Sequence, residues 1–213
     1  MQHYLNMLIE WLQVIPAVMI SLTFHEFCHG YVAYLLGDPT AKNAGRLTIN
    51  PLKHLDPIGL ICMVIARFGW AKPVPVNMYY FKKPKRDMAI VAVAGPLSNL
   101  LLGFVCIFFY YLLILYAPEY AFLQAMAEFI ATVAILSVGF AVFNMIPLPP
   151  LDGSRLLGLI LPGHLYYKLM QYERQIQLVF MLLLFFGVLS TPLAYARSFV
   201  IGGIERIVRW IIL

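Results

Sequence analysis

Charge is what this sequence has least of. Only 12% of its 213 residues are Asp, Glu, Lys or Arg, about half the share found in ordinary soluble domains. Hydrophobic residues make up 62% and the mean hydropathy is +0.82, which sets aside a water-soluble domain in favour of a chain solvated by lipid. Cysteine is nearly as scarce. Cys28, Cys62 and Cys106 are odd in number and sit in apolar sequence, so they offer no disulfide framework. No Lys or Arg occurs in residues 1–41, and without a positive n-region the first apolar run does not read as a cleaved signal peptide. Internal repeats and low-complexity tracts are absent. No stripe of mixed basic and aromatic residues supports a nucleic-acid partner.

The few charges are unevenly placed. Nine of the 15 Lys and Arg fall between Lys42 and Arg86, three lie in 155–174, and the rest are Arg197, Arg206 and Arg209. Basic loops near membrane ends stay in the cytoplasm, which assigns segments 37–87 and 153–175 to that side. The net charge of +5 then serves topology and contact with anionic lipid.

Between these loops, Tyr4–Leu36 reads as a first spanning helix with a kink at Pro16, ended by Gly37-Asp38-Pro39. Arg46–Asn50 and Val74–Asn77 read as short strands, the second confined to an edge by Pro73 and Pro75. Ile58–Phe68 is too short to span and reads as re-entrant or interfacial. Met88–Ala117 carries no charge and gives a second span; Tyr120–Ile146 returns as a third, broken by Pro147, Pro149 and Pro150. Gln175–Ala196 gives a fourth, interrupted at Ser190-Thr191-Pro192, and the tail 198–213 lies on a membrane face or spans in part. The expected fold is thus an all-α multi-pass membrane protein of roughly four to six transmembrane segments. A small β-hairpin or re-entrant region separates its first two spans. One domain covers 1–213, with core motifs in 5–160 and C-terminal helices in 175–213.

Inside the first span stands His25-Glu26-Phe27-Cys28-His29. Four helical residues advance the side chain by about 400°, so His25 and His29 share one face. Both imidazoles can reach one metal ion, with Glu26 beside them as general base for a metal-bound water. Ionisable groups at membrane depth mark a functional site by default. A hydrolytic zinc takes three protein ligands and one water, and the third ligand comes from among Asp152, His54, Asp56, His164 and Cys28. Asp152 is preferred: with an external N-terminus, helices one and three both run inward and bring it to the depth of the histidines. Cys28 reads as a packing residue, and His54 and His164 as loop residues. Gly95, Asn99 and Gly103 recur every fourth position, a small-residue face for close helix packing or substrate contact. Asn144 is either a helix–helix hydrogen bonder or a donor to substrate.

These motifs resemble the site-2 protease family of intramembrane zinc metalloproteases. The resemblance rests on His25-Glu26-Phe27-Cys28-His29-Gly30, on Gly95-Pro96-Leu97-Ser98-Asn99, and on Asn144 to Gly153 (Asn-Met-Ile-Pro-Leu-Pro-Pro-Leu-Asp-Gly). Asn43-Ala44-Gly45-Arg46-Leu47 and the run from Gly69 to Asn77 resemble its intervening loop. It implies one zinc per chain on His25, His29 and Asp152, Glu26 as catalytic base, and Asn144 with Asn99 at the substrate or the developing oxyanion. Segment 37–87 and the tail are too short for the PDZ or CBS modules of other members, so a minimal form is expected, in a prokaryotic plasma membrane, and the basic loops put its active site toward the cytoplasm. Its partners would be transmembrane protein substrates and membrane lipids, with a homo-oligomer left open. A metal-ion carrier is the main rival class, but the uncharged second helix offers it no polar path. The other rival, a non-catalytic binder, would not need Glu26.

Overall fold

A computed structural model describes residues 2–59, 62, 72–116 and 119–212, with residues 2–10 described as backbone only. Its helices are α1 (Gln2–Leu35), α2 (Thr40–Asn43), α3 (Pro84–Tyr116), α4 (Ala121–Asn144), α5 (Gly153–Ile160), α6 (Gly163–Gln171), α7 (Glu173–Phe185) and α8 (Ser190–Ile212). α3 is the hub and packs against α1, α4, α5 and α8. Small residues let it do so. A methyl group on Gly103 would stand 2.6 Å from Val138 Cγ2 of α4, so the two helices meet backbone to side chain. A buried hydroxyl pair, Ser21 and Ser137 at 2.7 Å, ties α1 to α4; such contacts replace the hydrophobic effect that lipid cannot supply. The protein is an integral membrane protein.

Among the described residues three helices are long and apolar enough to cross a membrane: 11–35 of α1, then α3 and α4. α7 and α8 make a fourth only if they count as one span bent by 85°. The expected four to six segments therefore meet three, or four with the bent pair. The fourth span also breaks elsewhere than expected. Gly187, at φ +70°, ends α7: its N–H donates to Leu184 O and that of Val188 to Leu183 O, a Schellman motif. Pro192 instead sits in the first turn of α8, where a missing N–H costs nothing. The tail from Ser198 onward is simply the rest of α8. Pro16 lies within α1, which runs through it without a break.

The expected hairpin is not there: no strand occurs among the described residues. Pro73 and Pro75 have no N–H, and the amides of Val74 and Asn77 are spent on α1 and the residues just past it. Val74 N donates to Glu26 Oε2 at 2.7 Å and Asn77 N to Asp38 Oδ2 at 2.7 Å. Arg46 N closes the turn after α2 on Ala41 O, and the Asn50 side chain caps a 3₁₀ turn by accepting from Leu52 N. Local side-chain capping has thus taken the place of a ladder. Segment 72–77 is an extended strap laid across α1. Most of the expected re-entrant piece Ile58–Phe68 lies outside the described residues.

Candidate metal centre

Three elements build the site. One face of α1 presents His25 and His29, both buried. α3 backs them: Gly95 stands against the two rings, where a methyl group would lie 2.6 Å from His29 Cε1 and 2.7 Å from His25 Cε1. The turn after α4 brings in Asp152. The chain doubles back there so tightly that a Cβ on Gly153 would sit 2.5 Å from Met145 O, which only glycine tolerates.

His25 Nε2 lies 3.1 Å and His29 Nε2 3.2 Å from the same oxygen, Asp152 Oδ2, and the two Nε2 atoms are 3.0 Å apart. Among the described residues this is the one group of three His, Cys, Asp or Glu ligand atoms close enough to hold a metal. The triangle suits tetrahedral zinc, whose bonds of about 2.0–2.2 Å imply ligand–ligand edges of roughly 3.3–3.6 Å. Proton positions point the same way. His29 Nδ1 is 2.7 Å from Val91 O; a carbonyl only accepts, so Nδ1 carries the hydrogen and, in the neutral ring, Nε2 keeps its lone pair. That lone pair faces a carboxylate oxygen, an opposition that a cation between them relieves.

Glu26 lines the same cavity. With one oxygen held by Val74 N–H, the other remains for proton transfer. Asn99 is fully buried behind His25, its Nδ2 3.2 Å from His25 Nδ1, while its Oδ1 has no partner. It is not among the residues lining the cavity. Asn144 does line the cavity, and its Nδ2 donates to Phe140 O one turn back at 3.0 Å.

The other ligand candidates are elsewhere. His54 is buried with Nε2 on Thr48 O, Asp56 caps the turn at Gly59, and His164 is exposed on α6. Cys28 stays outside the ligand group. Three contributors escaped sequence reasoning: the Val91 carbonyl, the Val74 amide and Asp38, which is wholly buried and accepts from Thr40 N, Thr40 Oγ1 and Asn77 N. Two of these are backbone atoms, which no residue type reveals. Asp38, directly after the Gly37 that ends α1, was the one with a visible signal.

The centre opens on a cavity of about 1020 Å³. Trp11, Val14, Val18, Leu22, His25 and His29 form one wall, a continuous face of α1 roughly 27 Å long at about 1.5 Å per residue. Opposite stand Ile135, Gly139 and Phe143 of α4, Met181 of α7, and Leu193 and Arg197 of α8.

Comparison with known proteins agrees with this chemistry. A profile described as Peptidase family M50 matches residues 113–188. The chain is 43% identical over 172 residues to YwhC of Bacillus subtilis, named as a candidate zinc metalloprotease, covering 80% of this chain and 78% of that one. It is 35% identical over 147 residues to Rip2 of Mycolicibacterium smegmatis, named likewise, covering 66% of this chain and 54% of Rip2. With the zinc metalloprotease MJ0392 of Methanocaldococcus jannaschii it shares 26% identity over 206 residues, 95% of this chain and 51% of that one. The chain thus spans about half the length of the last two. No solved structure matches it. Identity at the level shared with YwhC, over four-fifths of the length, makes this chain a member of peptidase family M50, the site-2 protease family of zinc metalloproteases.

Proposed function

We propose that the chain hydrolyses peptide bonds within or beside transmembrane segments of membrane proteins, at the cytoplasmic side of a prokaryotic plasma membrane, using one zinc held by His25, His29 and Asp152. One observation carries the reading: the ligand group and Glu26 sit at the end of an apolar groove that follows α1 for nearly the thickness of a ~30 Å hydrocarbon core. A soluble peptide needs no such groove, whereas a membrane-embedded segment can lie along it without meeting water.

Zinc bound there would polarise the peptide carbonyl and make water acidic enough to attack near neutral pH. The residues supply the rest. Glu26 holds one oxygen on Val74 N–H, takes a proton from the attacking water with the other, and delivers it to the leaving amine. Asn144, on the wall beside the site, steadies the substrate backbone or the developing oxyanion. Asn99 acts on His25 from behind rather than on substrate. A helical substrate keeps its carbonyls in i to i−4 bonds, so it must unwind where the groove meets the site.

Purified protein, reconstituted with zinc and a fluorogenic transmembrane peptide, tests the reading. Glu26→Gln is expected to keep stoichiometric metal and lose turnover, and Asp152→Ala to lose both. Undiminished cleavage by Glu26→Gln would sink the assignment, and zinc flux into liposomes without cleavage would favour a carrier.

A further inference from the structure

Two charged side chains in the groove take part in none of these steps: Arg155, which is paired with Glu173, and Arg197. Arg197, half-buried on α8, lines the same cavity as His25, Glu26 and Asp152. It occupies the space left by Gly139 of α4, where a Cβ would lie 3.6 Å from Arg197 Cδ. The lining residues within one turn of Arg197 on α8 and of Gly139 on α4 include the apolar Ile135, Leu136, Phe140, Leu193 and Ala194, while Gln177 and Ser190 line the same cavity. The arginines that form ion pairs among the described residues are Arg86, Arg155 and Arg209, and Arg197 makes no hydrogen bond or ion pair among them.

Its depth follows from the packing of α8. Pro192 and Leu193 share a cleft with Met145 and Ile146, at the catalytic end of α4. Val208 and Arg209 reach Ala134, Ile107 and Tyr111, far along α3 and α4. Arg197 therefore lies in between. Gly139 precedes Asn144 by five residues, roughly 7 Å along the helix axis. A guanidinium cannot shed its charge, and at membrane depth an uncompensated charge is costly and faces a cavity or a partner.

We propose that Arg197 is the receptor for a carboxylate carried by the substrate, an Asp or Glu side chain on the outward side of the scissile bond. This rests on the protease reading of the groove. The guanidinium fork matches a carboxylate bidentately, and the pair is strongest where water is excluded. The spacing corresponds to roughly two residues of extended chain or five of helix. Substrates with an acid in that window would be selected, and those with a Lys there rejected.

The test uses zinc-loaded Glu26→Gln protein in uncharged detergent at pH 8. Its probe is a dansyl-labelled Leu/Ala transmembrane peptide with one Asp, or one Asn, moved stepwise along it. Asp should bind at least tenfold tighter than Asn within one narrow window of positions. Arg197→Gln should abolish that preference, Arg197→Lys should keep part of it, and Arg197→Glu should transfer it to a Lys peptide. Equal binding of the Asp and Asn peptides everywhere would overturn the proposal. So would a preference that survives Arg197→Gln, or one that added phosphatidylglycerol erases for all peptides alike, which would assign Arg197 to a lipid phosphate. Cleavage by the wild-type protein is scored separately. Its absence beside intact window-specific binding would reject the protease reading and leave the receptor standing.

Discussion

His29 has its tautomer fixed by a backbone carbonyl, but His25 depends on an amide that can face either way. If His25 Nε2 gives its lone pair to a metal, Nδ1 carries the proton, and the matching neighbour is an acceptor. A half-turn of the Asn99 amide brings Oδ1, otherwise partnerless, into the place now taken by Nδ2, 3.2 Å from Nδ1. Both ligand histidines are then oriented from α3, one by Val91 and one by Asn99. Zinc affinity, measured by chelator competition, should fall roughly 10- to 100-fold in Asn99→Leu, the usual cost of losing such a partner. Asn99→Asp should hold it, because a carboxylate also accepts. A merely structural Asn99 predicts the reverse order, since an apolar side chain suits this buried site better than a charge. The convergence of His25 and His29 was legible in the sequence, because i and i+4 place them on one face whatever the rest of the fold does. The role of Asn99 was not. Its four-residue spacing with Gly95 and Gly103 marked a packing face, and only the position of the His25 ring reveals that the Asn99 amide stands against that imidazole.

At the scale of elements, the strap 72–77 stands where a strand was expected and is held by bonds of another kind. It is fastened at Lys72, whose N–H donates to His54 O and whose carbonyl accepts from Arg46, and at Asn77, held by Asp38. Between these anchors Val74 offers its amide to Glu26, the single N–H in Pro73-Val74-Pro75. Val74→Pro deletes that donor while suiting extended backbone. Zinc stoichiometry and KM should be unchanged while kcat falls at least tenfold, since a hydrogen bond to a charged group contributes about 1.5–3 kcal/mol. An unaltered kcat would mean that Glu26 is positioned without the strap. The prolines at 73 and 75 were read as confining a strand to an edge, whereas the segment forms no strand at all. What they could not reveal is that the amides of Val74 and Asn77 have carboxylate partners on and just past α1. The same limit explains the fourth span: Ser190-Thr191-Pro192 looked like the break, yet proline is accommodated in a first turn, and the left-handed conformation at Gly187 makes the actual stop. The long helices were easy to read because uncharged runs of that length have few alternatives in lipid.

For the whole molecule, the decisive pattern is which end of the bundle carries the cations. Twelve of the 15 Lys and Arg lie in 42–86 and 155–174, joined to the ends of α1, α3 and α4 that hold the candidate metal centre. Arg206 and Arg209 lie at the far end of α8; Arg209 donates to Tyr111 Oη on α3 and lies 4.0 Å from Glu205. An imbalance of that size in short loops sets orientation during insertion, so the centre should face the cytoplasm, where water has a short path to it. Single cysteines in a background with Cys28, Cys62 and Cys106 replaced by Ser can decide this. Cys at Lys83 or His164 should react with a membrane-impermeant maleimide only after the cells are opened, and Cys at Glu119, in the turn before α4, should react in intact cells. Labelling in the opposite sense would leave the bundle and the ligand triangle untouched. It would, however, reverse the side on which cleavage products are released and move the acid window read by Arg197 to the cytoplasmic side of the cut.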